Sequence, residues 1–191
     1  MDTQKLYENQ IFKELTCKDF EFKYGEFQSC SFVKCDFSAC DLMGAKFMDC
    51  NFTDCNLSNV KVRNCSFQNT NFKNCKLIGI DFSVINKLLL NWKFEDCLIE
   101  FCLFHNLEMK KTNYIDCVIR ESEFEAVNLT GSDFGGSDLD KTKFMNADLS
   151  KTDFRKAKNY YIDPTQNKLK GSKFSYPDVM GLLAAFEIEV E

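Results

Sequence analysis

Residues 22–82 read FKYGE-FQSCS-FVKCD-FSACD-LMGAK-FMDCN-FTDCN-LSNVK-VRNCS-FQNTN-FKNCK-LIGID-F, a run in which every fifth residue is Phe, Leu or Val. Two residues before most of these centres sits a small residue: Gly25, Cys30, Cys35, Cys40, Ala45, Cys50, Cys55, Cys65, Thr70 and Cys75. The residue between is usually polar, as at Asp36, Asp41, Asn51, Asn56, Asn71 and Asp81. Self-similarity at a short fixed period marks a solenoid. A period of five fits neither a helix nor a flat strand. On extended backbone, positions two apart point the same way, so the small residue and the centre both face one interior. The other three positions face water or turn a corner. Each block is then one short side of a coil, and coils stacked about 4.8 Å apart pair through their backbones.

The second half sets the number of sides. Its centres restart at Phe94 and run Ile99, Phe104, Met109, Tyr114, Ile119, Phe124, Leu129, Phe134, Leu139, Phe144, Leu149 and Phe154. Three sides would stack Phe94 on Met109 and Phe124 on Leu139. Four sides give like-on-like columns, Phe94–Tyr114–Phe134–Phe154 and Ile99–Ile119–Leu139, which close packing favours. The first half agrees at Phe27–Phe47–Phe67 and Phe32–Phe52–Phe72. The coil is predicted to be four-sided.

The pattern resembles that of the pentapeptide-repeat proteins, whose block is small, Asp or Asn, Leu or Phe, Ser or Thr, and any residue. Ala147-Asp148-Leu149-Ser150 and Thr152-Asp153-Phe154 carry it closely, and 26 repeats cover residues 22–159. The resemblance implies an all-β fold, a right-handed quadrilateral parallel β-helix. For function it is weaker, since one fold hosts many tasks. Among its members, the Qnr-type quinolone-resistance proteins and mycobacterial MfpA mimic DNA in shape and charge and engage DNA gyrase or topoisomerase IV.

The chain has 191 residues, enough for a single domain, with 24 Lys and Arg against 29 Asp and Glu, a net charge of −5. That balance argues against direct nucleic-acid binding. Residues 1–20 hold no apolar run that could be a signal peptide or membrane span, so a cytoplasmic protein with no membrane association is expected. Of eleven cysteines, ten occupy the small inward site that Ala, Ser and Thr share, where Cys acts as a small buried hydrophobe. Stacked columns such as Cys35–Cys55–Cys75 hold their Cβ atoms parallel at about 4.8 Å, too far for a disulfide, so all eleven thiols are expected to be free.

Residues 1–21 keep Leu6, Ile11, Phe12, Leu15 and Phe20 without the full repeat, and are expected to cover the open N-terminal edge. Residues 22–82 form a first repeat block and 94–159 a second. Between them, residues 83–93 break the register, since Phe82 to Phe94 leaves two residues surplus. One reading is a bulge whose Leu88, Leu89, Leu90 and Trp92 fill the interior, favoured by the cost of wetting so apolar a segment. The other is a projecting loop, which the resemblance suggests. Nearby, Leu98, Phe101, Leu103, Ile115 and Val118 occupy outward positions and form an apolar patch. Either the break segment folds back over it or a partner covers it.

Residues 160–191 are read as a C-terminal cap. Asp163-Pro164 turns the chain and Gly171-Ser172-Lys173-Phe174 supplies one more side. Pro177 and Asp178 suit the first turn of a short α-helix. Val179, Met180, Leu182, Leu183 and Phe186 carry more apolar surface than a coil end can absorb, and Ile188 and Val190 read as a short strand. A homodimer through this element is expected, as in the proteins the chain resembles.

No catalytic constellation, phosphate-binding loop, cofactor site or metal-ligand spacing is present, and the lone His105 sits at an outward site with no implied partner. The chain is expected to be no enzyme and to need no cofactor. Two functions remain: a DNA-mimicking ligand of a type II topoisomerase that protects against quinolones, and a scaffold or binding module for an unrelated cytoplasmic protein. Six and a half coils make a rod of about 31 Å, over which duplex DNA carries about 18 charges, so the net of −5 mimics it poorly overall. On two adjacent sides of the second half, however, Glu95, Asp96, Glu100, Asp116, Glu121, Asp133, Asp138, Asp140 and Asp153 face five bases, Lys93, Arg120, Lys141, Arg155 and Lys156. This acidic stripe is the candidate partner-binding surface.

Overall fold

The computed structural model describes residues 5–186 and Ile188. The chain coils into a four-sided rod whose strands, three to four residues each, pair in parallel with the strands of the coils above and below. The first side stacks Leu6–Glu8, Glu26–Gln28, Lys46–Met48 and Ser66–Gln68. The second runs from Ile11–Lys13 through Ser31–Val33, Asn51–Thr53, Thr70–Lys73 and Trp92–Glu95 to Asn113–Ile115. On the third side lie Lys76–Ile78, Leu98–Glu100 and Val118–Arg120, and on the fourth Leu103–His105, Glu123–Glu125 and Lys143–Met145.

The expected columns are present and buried. Phe32, Phe52 and Phe72 stack at centroid separations of 4.7 and 5.1 Å, and Phe94, Tyr114, Phe134 and Phe154 at 4.9, 4.7 and 5.1 Å. Adjacent columns meet edge to face, as at Phe124 and Phe134. Parallel stacking along the rod and T-shaped contact across it are the two arrangements that aromatic quadrupoles favour.

The repeat's other positions have local causes that composition alone did not reveal. The corner residue, two after each centre, takes a left-handed backbone, from Asn9 and Glu14 onward, with Gly at five corners. Asn tolerates that conformation better than other side chains and recurs there, as at Asn59, Asn64, Asn69 and Asn74. An Asp or Asn before the centre bends its side of the coil by accepting a bond two residues on, as Ser38 N–H donates to Asp36 and Ser58 N–H to Asn56. The small inward residue donates to the carbonyl of a centre one coil back: Cys55 to Phe32, Ser137 to Tyr114, Thr142 to Ile119. Cys, Ser and Thr interchange there because each is small and carries a donor.

The break departs from the interior-filling bulge. Asn86 still bonds to Cys65 of the coil below, but Lys87, where a centre belongs, is exposed. Leu88 and Leu89 stand 66% and 77% exposed, Leu90 is half-buried, and Leu90 pairs antiparallel to Gln68. Of the four residues expected inside, Trp92 alone is fully buried, while Ile85 before them also joins the core. Trp92 holds the small-residue position before Phe94 and its indole Nε1–H donates to Phe67 O at 2.8 Å, the bond a cysteine would make. Its ring, against Phe67, Phe82 and Phe94, occupies the level at which the first side supplies no centre. Of Leu88, Leu89, Leu90 and Trp92, expected inside together, Trp92 alone fills the level. The other columns pass the break in register, Phe72 on Phe94, Leu77 on Ile99 and Asp81 beside Leu103.

Both ends extend the ladder. Tyr7 stacks on Phe27 and Phe12 on Phe32, so residues 6–13 form a coil level of their own. At the far end, bridges continue through Lys158, Tyr161, Lys168 and Lys173. The final helix, Asp178–Phe186, follows Pro177 as expected but winds as a 3₁₀ helix, with Met180 N–H bonding to Pro177 O. Ile188 belongs to no strand, and Val190 lies outside the described residues.

Cysteine chemistry needs one correction. Nine cysteines are free and buried, but Cys17 and Cys40 form a disulfide, their Cα atoms 5.8 Å apart. The parallel-column argument holds for residues twenty apart; Cys17 escapes it because residues 16–20 leave the column in a turn closed by Thr16 and Asp19.

Candidate interaction surface

The rod carries shallow grooves open to solvent. One open groove of about 420 Å³ lies along the first side under Leu89 and Leu90, floored by Met48, Gln28 and Gln68; another, of about 470 Å³, crosses the fourth side near Lys61, Arg63 and Val84. No group of three or more His, Cys, Asp and Glu among the described residues could hold a metal ion. No helix there is long and apolar enough to cross a membrane.

The nine carboxylates of the stripe divide as the spacing predicted. Register puts Glu95, Asp133 and Asp153 on the second side, with Asp96 and Asp116 at its corner, and Glu100, Asp138 and Asp140 on the third, with Glu121 at its corner. They are not equally available. Glu95 is held by Lys73 and Lys93, and the Lys73 ammonium foremost pulls its carboxyl down to about 2. Arg120 grips Asp138 at 2.7 Å while Asn159 donates to its other oxygen, and its carboxyl sits below the usual range. Arg155 and Lys173 hold Asp153, and Lys141 pairs with Glu121. Asp96, Glu100, Asp116, Asp133 and Asp140 make no ion pair among the described residues. At the corner, Asp116 lies across Gly136, where a Cβ would collide with its Oδ1.

Acidic residues also continue onto a third face. Glu123 and Glu125 flank His105 on the fourth side, with carboxylate oxygens 3.5 and 3.9 Å from its ring nitrogens, but neither completes a hydrogen bond to Nε2, which is buried without a partner among the described residues. The signal was available, since both glutamates fall at outward positions twenty residues beyond Leu103 and His105. Residues 95–140 thus hold eleven carboxylates against three bases, a local net of −8. Residues 141–173 reverse this, with nine bases against three acids. The charge is banded along the rod more than striped along its sides.

The apolar patch is divided between faces. Leu98 pairs with Val118 on the third side, Ile115 lies on the second and Leu103 on the fourth. The break segment does not cover them, because it sits on the first side, opposite Leu98 and Val118. Phe101 and Leu89 share a feature: both are large apolar residues held in left-handed corners, and Phe101 is 53% exposed. The C-terminal helix buries none of its side chains fully; Leu182 rests against the core while Met180 and Phe186 face outward.

Coils of five-residue sides, four to a turn, define a quadrilateral parallel β-solenoid. A pentapeptide repeat region model matches residues 25–104 and a pentapeptide repeats model, of eight copies, matches 122–158. The chain belongs to the pentapeptide-repeat family. Among solved structures it is similar to two trypsin-treated variants of QnrB1, a plasmid-mediated fluoroquinolone resistance protein. One is 18% identical with a TM-score of 0.66, the other 17% with 0.62, and each match covers 98% of both chains. Among curated proteins, no sequence matches.

Proposed function

We propose that this protein is a non-enzymatic interaction rod that presents a DNA-like acidic band to a cytoplasmic type II topoisomerase, DNA gyrase or topoisomerase IV, and protects it from quinolones. The fold shared with QnrB1 is compatible with this role, but at such low identity fold alone does not carry function. The observation that carries the reading is charge density. Residues 95–140 occupy a little over two coils, about 11 Å of rod, where duplex DNA bears about 6 charges. By sequence the local net of −8 meets that density; Lys73, Lys93, Lys141 and Lys143 pair into the band from outside the window and bring it to −4, still denser along the rod than the net of −5 over the whole chain. Carboxylates concentrated on one band raise the field that a DNA-binding saddle reads, and salt should weaken the contact. The C-terminal helix, with Met180 and Phe186 outward beside half-buried Val179, Leu182 and Leu183, is the proposed homodimer contact.

The test is a supercoiling assay on purified gyrase, with and without a quinolone. The expected result is inhibition or protection that disappears when Asp96, Glu100, Asp116 and Asp140 are replaced by lysine. No effect at micromolar protein would discard the topoisomerase reading. The second reading, a module for an unrelated protein, is favoured by the exposed, strained Phe101 and Leu89, and would be supported by an effect that survives charge reversal but is lost in Phe101→Ala. Light scattering checks the dimer: a monomeric full-length chain refutes it.

A further inference from the structure

The cysteines divide into two chemical groups. Nine are enclosed, and burial pushes the thiols of Cys50, Cys65 and Cys102 up to about 12, which keeps them protonated and inert. Cys17 is exposed at the turn 16–20, off the repeat, while its partner Cys40 occupies a buried inward slot. Around them the first coil level, the last one described at this end, packs against a single neighbouring level. Tyr7 and Phe12 each stack on one ring of the next level, and Phe20 plugs the interior against Phe22. Beside the two strand pairings, backbone bonds from Asn9 to Gln28, Glu14 to Val33, Glu26 to Lys5, Ser31 to Gln10 and Asp36 to Leu15 join the two levels.

We propose that Cys17–Cys40 is a reversible thiol–disulfide site that latches the first coil, entered through Cys17. With a small-molecule disulfide such as oxidised glutathione as oxidant, the Cys17 thiolate attacks one sulfur and the S–S bond of the oxidant breaks. One glutathione thiolate leaves, and a mixed disulfide remains on Cys17. Cys40, its proton lost, then attacks the Cys17 sulfur and expels the second glutathione. Two protein thiols are oxidised, two electrons pass to the oxidant, and the released thiolates take up the protons. Closed, the bond ties residues 23 apart in sequence and limits how far residues 5–20 can swing away. Open, that segment becomes a local unfolding unit whose release bares the edges of Glu26–Gln28 and Ser31–Val33, and bare strand edges pair with other chains.

The full chain would be equilibrated with oxidised glutathione or with dithiothreitol, denatured, and its thiols counted, with hydrogen exchange followed on the native protein. Nine thiols are expected after oxidation and eleven after reduction. Amides of Glu26, Ser31 and Asp36 should exchange on the order of a hundredfold faster when reduced, from the loop-closure entropy of the bond. Those of Val118 and Asp138 should not change. Cys17→Ser, at an exposed position, should exchange like the reduced protein under both conditions. Eleven thiols after oxidation, a cross-link between any other pair, equal exchange in the two states, or full protection in Cys17→Ser would each overturn the proposal.

Discussion

Replacing Trp92 tests how the rod survives its own interruption. The side chain is 2% exposed, donates to Phe67 O at 2.8 Å, and has three aromatic neighbours with centroids 5.3–6.2 Å away. Trp92→Ala removes the ring and the donor together. Truncation of a buried aromatic costs about 3–5 kcal/mol, and the orphaned carbonyl adds about 1 kcal/mol, so a loss of about 5 kcal/mol is expected. Trp92→Phe keeps most of the filling and loses only the donor, for about 1–2 kcal/mol. Trp92→Cys restores the small donor found elsewhere in the repeat but leaves the void, for about 3–4 kcal/mol. The order of stability is therefore Phe above Cys above Ala. Equilibrium urea denaturation followed by circular dichroism measures it, with slopes compared because repeat rods can lose cooperativity between halves. A loss below about 1 kcal/mol for Trp92→Ala, or Cys matching wild type, would refute the claim that the ring substitutes for a missing centre.

Tyr114 stands in a phenylalanine column with its hydroxyl buried and unpartnered, and burial raises its pKa well above the ordinary value. Tyr114→Phe should stabilise the protein by about 1 kcal/mol in the same denaturation assay, and a loss would mean the hydroxyl is satisfied. Phe101→Asn should gain about 0.5–1 kcal/mol by relieving a left-handed corner; a loss would show that the ring's packing outweighs the strain. Acid should unfold the rod through its bent sides. The carboxyls of Asp36, Asp148 and Asp163 are lowered by bonds from Ser38, Ser150 and Thr165, and that of Asp138 by Arg120. Because these folded values lie below the unfolded 3.8, their contribution is present above that pH and is lost as pH falls through the lowered values. Thermal melts should be flat from pH 7 to about 5 and drop steeply below about 4; a drop already near pH 6 would contradict this.

The inward positions were readable because burial forces them: a five-residue period with one large and one small apolar slot admits few geometries, and the Phe columns follow. What stayed hidden depends on single residues acting against the pattern. Trp92 looked like one more apolar residue beside Leu88 and Leu89, and only the donor bond to Phe67 separates it from them. Cys17 was legible as the one cysteine off the inward register, but the Thr16–Asp19 turn that brings it to Cys40 was not. In the acidic stripe, side assignment was legible from spacing, but availability was not, because Arg120 and Lys73 reach across coils to neutralise Asp138 and Glu95. The two glutamates beside His105 were missed because they lie about a coil further on, a distance in sequence that is one step in the rod.

The interruption at residues 86–91 also bears on mechanics. Three walls of the tube pass it unbroken, with Phe72 on Phe94 at 5.0 Å as if nothing had been inserted, while the fourth wall has a slot bridged by one indole. A square tube slotted on one wall keeps its stiffness in the plane parallel to that wall and loses it in the plane that opens or closes the slot. The rod therefore has one soft bending direction, and it lies between a charge-balanced half and an acidic one.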